Sequence, residues 1–118
     1  MQRSLVLLVP LATGAALLAG CGGGSSGPNS NDKRASALEC LRSEKKLDAR
    51  LVGRDSIQVG DARTGPRIKF FLTGGQAEAA QFSGNAEGSE HIGTALLFVR
   101  RGSDDALAKV EACLDDVS

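Results

Sequence analysis

Hydrophobic and polar positions divide the chain into three regimes. Leu5 to Leu18 is a run of 14 residues without a charge. Gly22 to Arg34 (GGGSSGPNSNDKR) offers no apolar side chain to bury. From Ala35 onward, apolar residues recur with regular periods. Ala37, Leu38, Cys40 and Leu41 fall on adjoining turns of one face, which predicts a helix over 35–46 with Lys45 and Lys46 at its negative end. An extended stretch begins at Asp48–Val52, Gly53-Arg54-Asp55 is a turn, and Ile57 and Val59 alternate with Ser56 and Gln58 as in a short strand. Gly60–Pro66 is a loop of turn formers. In Arg67–Leu72 the alternation sends Ile68, Phe70 and Leu72 one way and Arg67, Lys69 and Phe71 the other.

Thr73 and Gln76 have the spacing of a capping box and open a helix over 76–82. Asn85–Glu90 is polar and reads as a loop. Thr94–Val99 is apolar almost throughout, as expected of a strand buried on both faces and central in its sheet. Ser103 caps a final helix, with Asp104 and Asp105 at its positive end. Ala106, Leu107, Val110, Cys113, Leu114 and Val117 line one face of that helix. The order is α-β-β-β-α-β-α. It predicts an α+β domain with a small three- to four-stranded sheet, helices packed mainly on one face, and a parallel crossover between 67 and 99. This arrangement resembles a trimmed ferredoxin-like sandwich, a likeness that carries no function.

The start of the chain is read as an address. A head with one positive charge (Met1-Gln2-Arg3-Ser4), an apolar middle and small residues before Cys21 have the layout of a secretory signal peptide. The apolar run is shorter than the ~20 residues of a membrane span, and Pro10 and Gly14 interrupt it. Leu18-Ala19-Gly20-Cys21 resembles the lipobox of bacterial lipoproteins: an aliphatic residue, a small residue, Gly or Ala, then Cys. That resemblance implies a diacylglyceryl group on the Cys21 sulfur, cleavage before Cys21, and attachment to the bilayer. Two acyl chains anchor firmly where one is marginal. The expected organisation is a lipoprotein signal peptide over 1–20, a lipidated Cys21 with a disordered tether to 34, and a folded domain over 35–118. The expected location is the outer face of the cell membrane, or the outer membrane of a two-membrane cell, since Gly22 is not the usual retention residue. A tether of about 13 residues spans roughly 20 Å.

Composition narrows the chemistry. Lys plus Arg and Asp plus Glu both number 14, so the formal net charge is zero, and aromatics make up 3%. Neither a basic excess nor a stacking platform is present for nucleic acid, which is therefore not an expected partner. With Cys21 assigned to lipid, Cys40 and Cys113 remain as an even pair in an exported domain, which predicts a structural disulfide between the first and last helices. Zinc would need about four ligands, and only His91 stands beside the two cysteines. A Cys-x-x-Cys redox motif is absent from the sequence.

No metal or cofactor is expected. His91, beside Glu90 and near Glu87, is the one candidate general base, without a recognisable nucleophile motif. Gly84–Gly88 and Gly102-Ser103 read as turns and caps, because no phosphate-loop signature accompanies them and Asp104 and Asp105 would repel an anion at the start of the last helix. The interaction-like feature is the sheet face opposite the helices, where Arg67, Lys69 and Phe71, with Arg100 and Arg101 at its edge, border an apolar strand. The expectation is a non-enzymatic envelope lipoprotein that binds another envelope component or a second copy of itself. A ligand-carrying lipoprotein and a hydrolase using His91 are the alternatives.

Overall fold

A computed structural model describes residues 30–84, 86 and 88–118. Its elements run α1 (Ser30–Glu39), a wide helical turn (Cys40–Glu44), β1 (Ala49–Val52), β2 (Ser56–Val59), β3 (Arg67–Phe70), α2 (Gly74–Phe82), β4 (Ser89–Ile92), β5 (Ala95–Phe98) and α3 (Asp104–Val117). The domain is α+β, as expected. The sheet has five strands rather than three or four, in the order β1-β2-β3-β5-β4, with every neighbouring pair antiparallel. The expected lipidation site Cys21, its signal peptide, and the tether up to residue 29 lie outside the described residues. The first helix begins at Ser30, inside the stretch expected to be tether.

The additional strand is β4, in sequence expected to be loop. Ser89, Glu90 and His91 gave no apolar alternation because β4 is an edge strand, and a charged, polar edge resists pairing with other chains. Ile92 pairs with Ala95 across a two-residue turn, with Gly93 in the left-handed region at φ 59°. β4 also corrects the crossover. β3 and β5 were expected to run parallel, yet they pair antiparallel. Since β4 is antiparallel to β5 as well, β3 and β4 run the same way, with β5 between them. α2 thus connects two parallel strands that are not neighbours, a split β-α-β unit. β5 is interior but second from the edge, not central.

Strand alternation sorts side chains onto two faces. Ile57, Val59, Ile68, Phe70, Ala95 and Leu97 meet Ala37, Leu41, Val110 and Leu114 from α1, the turn after it and α3 in the main core. Leu96 turns to the other face and packs with Ala77 of α2 and Ala86, while Phe71, Ala80 and Phe98 are half-buried around them. Two helices therefore share one face, as expected, and α2 covers part of the second. Small side chains on α2 let it lie close to the sheet: a methyl group built on Gly74 would sit 3.2 Å from the Gly93 carbonyl oxygen. Leu72, expected to face the core, is exposed because β3 ends at Phe70.

The expected disulfide is formed. Cys40 and Cys113 are bonded across a separation of 73 residues, joining the turn after α1 to α3. In the chain-entropy account, closing a loop of that length is worth about 4.5 kcal/mol.

Candidate functional site

The half of the second face that α2 leaves open is built from β2, β3 and the end of β5. Across it the register places Gln58 beside Arg67 and Arg67 beside Phe98, and in the next row Ser56 beside Lys69 and Lys69 beside Leu96. A groove of about 290 Å³ lies here, lined by Asp55, Ser56, Arg67, Lys69, Phe98 and Arg100. Three of the five residues expected to form an interaction surface, Arg67, Lys69 and Arg100, thus come together. Phe71 does not line the groove. Its half-buried ring packs with the α2 cluster, and the Lys69 ammonium lies 5.4 Å from the ring centroid. Arg101 also stands outside: it is exposed and its backbone N–H donates to the Thr64 carbonyl at 2.9 Å.

Gln58 organises the groove, and sequence reading gave it no role. It is fully buried, although β2 otherwise presents Ser56 on that face. Its Nε2 lies within hydrogen-bond distance of four carbonyl oxygens: Asp61 at 2.8 Å, Val59 at 3.1 Å, and Gly65 and Pro66 at 3.2 Å. With the amide nitrogen engaged by acceptors alone, Oε1 is left to face the arginines behind the groove. There it accepts from Arg67 Nε at 3.1 Å and from Arg100 at 3.4 Å.

The 60–66 loop supplies three of those carbonyls because two residues fold it tightly. Asp61 Oδ1 accepts the backbone N–H groups of Arg63 at 2.8 Å and Thr64 at 3.1 Å, and the Thr64 hydroxyl at 3.3 Å. These bonds, the Arg63 amide foremost, hold the Asp61 carboxyl below its ordinary pKa. Gly65 is required by close approach: a Cβ there would stand 1.9 Å from the Val59 carbonyl oxygen.

The cations of the groove are unevenly partnered. Lys69 has the Asp55 carboxylate at 3.9 Å, an exposed pair worth little. The Asp55 carboxylate also accepts from the Ser56 hydroxyl at 2.9 Å. Arg100 donates in addition to the Ala62 carbonyl at 2.9 Å. Among the described residues, neither Arg67 nor Arg100 has a carboxylate partner. Arg100 also sits at φ 46°, a left-handed conformation that costs a non-glycine residue about 1 kcal/mol.

The other candidates are placed apart from this groove. His91 is exposed and its Nε2 lies 2.7 Å from the Gly93 carbonyl oxygen. Glu90 does not pair with it, since adjacent strand residues point to opposite faces. Glu90 instead meets α3, where loss of hydration, a hydrogen bond with Glu111 and the charges of Glu111 and Asp115 raise its pKa. Glu87 lies outside the described residues.

Beside the disulfide, the Glu44 and Asp116 carboxylates gather near Cys40 Sγ within 4.8 Å of one another. That sulfur is committed to the disulfide and offers no thiolate, which leaves two exposed carboxylates. Set against known protein families, curated proteins and solved structures, the chain finds no match.

Proposed function

We propose that the chain is an exported lipoprotein, anchored through acylated Cys21 and carrying a small binding module on a short tether, with the open sheet face as its binding surface. The observation that carries this reading is the sequence Leu18-Ala19-Gly20-Cys21 behind a basic head and a charge-free apolar run, and ahead of a Gly/Ser-rich segment. The Cys40–Cys113 disulfide supports it, because such bonds persist in oxidising compartments. The binding half rests on the groove, where basic groups gather on a rigid sheet beside a half-buried Phe98.

Labelling with palmitate tests the anchor. The full chain takes up the label and loses residues 1–20. Cys21→Ala takes up none and keeps its leader. Equal labelling of both chains overturns the anchor.

A further inference from the structure

We propose that the groove between β2, β3 and β5 is an oxyanion site, which takes a phosphate or carboxylate group borne on a small apolar body. The inference rests on the reading of the open face as a binding surface and names what it binds.

Three observations converge on it. First, two guanidinium groups are drawn to one neutral oxygen, Gln58 Oε1, at 3.1 and 3.4 Å. Two like charges held that close repel each other, and among the described residues neither has a carboxylate within 4.0 Å. An anion in the groove removes the repulsion. Arg67 spends only its Nε on Gln58, so its terminal nitrogens keep their donors, in the planar fork that matches phosphate and carboxylate oxygens.

Second, the groove is built rather than incidental. Gln58 is buried and its orientation is dictated by four carbonyls, so it directs Arg67 and, together with the Ala62 carbonyl, Arg100. Arg100 holds a left-handed backbone at φ 46°, and from there its side chain reaches both Gln58 Oε1 and the Ala62 carbonyl.

Third, the lining matches the ligand class. Lys69 adds a third cation, the one carboxylate of the lining, Asp55, is engaged by Lys69 and the Ser56 hydroxyl, and Phe98 supplies an apolar wall. The volume of about 290 Å³ suits a single small group, not a polymer laid across the sheet.

The test is an NMR titration of the full acylated chain in zwitterionic micelles, reading the Arg67 and Arg100 Nε–H and the Gln58 side-chain amide signals. The added probes are inorganic phosphate, phenyl phosphate, benzoate and, in a separate arm, phosphatidylglycerol mixed into the micelles. Sodium chloride at equal ionic strength is the control. Saturable shifts of these three residues with phenyl phosphate or benzoate, beyond those with chloride, are expected. Arg67→Met and Arg100→Met should each weaken the binding by about tenfold or more, and Arg54→Met, on the β1–β2 turn, should not.

Shifts with phosphatidylglycerol alone assign the anion to a lipid headgroup, and shifts with the soluble probes assign it to a free ligand. Shifts no larger than those with chloride overturn the proposal, as does unchanged affinity in both arginine variants. Should a variant lose its folded spectrum, Lys69→Met, whose side chain holds no buried group, takes its place with a smaller expected loss. A photo-crosslinker at Phe98 separates the two readings. Arg67-dependent crosslinks in the membrane without small-anion binding remove the oxyanion and leave the binding face. Absence of both removes the face itself.

Discussion

The two faces of the sheet are made from the same strands and do opposite things. On one, large aliphatic side chains from β2, β3 and β5 interlock with α1 and α3, and a disulfide fastens the helices to each other. On the other, a short helix of small residues covers Leu96, and the rest carries arginine, lysine and a buried glutamine. The difference teaches that strand alternation lets a domain of this size keep its stability on one side and its chemistry on the other. It also shows how little a net charge of zero says. α3 holds Asp104, Asp105, Glu111, Asp115 and Asp116 against Lys109, while the groove on the far face holds Arg67, Lys69 and Arg100 against Asp55. Formal neutrality is the sum of separated fields.

The comparison can be broken hardest at the disulfide. Replacing Cys40 and Cys113 together by alanine should cost about 4 kcal/mol in urea unfolding, a large share of the 5–15 kcal/mol typical of domains. A loss under about 1 kcal/mol would show that the helical face does not depend on its staple. Next come two adjacent leucines, one on each face. Leu97→Ala, in the main core, should cost about 3 kcal/mol. Leu96→Ala should cost about 2 kcal/mol, because the two-turn α2 above it can settle into the space. An equal loss at both sites would deny the difference between the faces.

Gln58→Leu should cost about 2 kcal/mol, by leaving the carbonyls of Asp61, Gly65 and Pro66 without their shared donor. The Arg67 side-chain signal should broaden in the same variant, since it loses its acceptor, and Arg100, which keeps the Ala62 carbonyl, should change less.

Acid titration gives the smallest effects and the sharpest contrast. Glu90 binds its proton more tightly in the folded chain, so its charged form weakens the fold at neutral pH. Glu90→Gln should raise the melting temperature at neutral pH by the equivalent of at most about 0.5 kcal/mol, and the gain should vanish as pH falls through the carboxylate range. Asp61 runs the other way: its lowered pKa stabilises the fold at neutral pH and that contribution is lost on acidification. Asp61→Asn should therefore lower the melting temperature at neutral pH, and the difference should close in acid.

Much of this fold was legible because burial imposes periodicity. The faces of α1 and α3, the sides of Arg67–Phe71, the caps Thr73 and Ser103, and the cysteine pair all follow from local pattern or parity. β4 was not legible, because an edge strand facing water has no apolar alternation to display. The parallel pairing of β3 with β5 failed for the same reason, since an unseen strand shifted the end point of the crossover. The basic cluster was visible as Arg67, Lys69 and Arg100, but not its organiser. Gln58 looks like any polar residue on a strand, and only the fold of a seven-residue loop over it makes it buried.

All five strands and α2 lie between Cys40 and Cys113. The folded domain is therefore a covalent ring with two short tails. A protease that cuts once at any hairpin or at the 60–66 loop opens the ring and releases nothing: both pieces stay on the same molecule, and the mass seen without reductant is unchanged apart from a water. Nicked at the β4–β5 turn, which does not line the groove, such a domain keeps both pieces on one molecule.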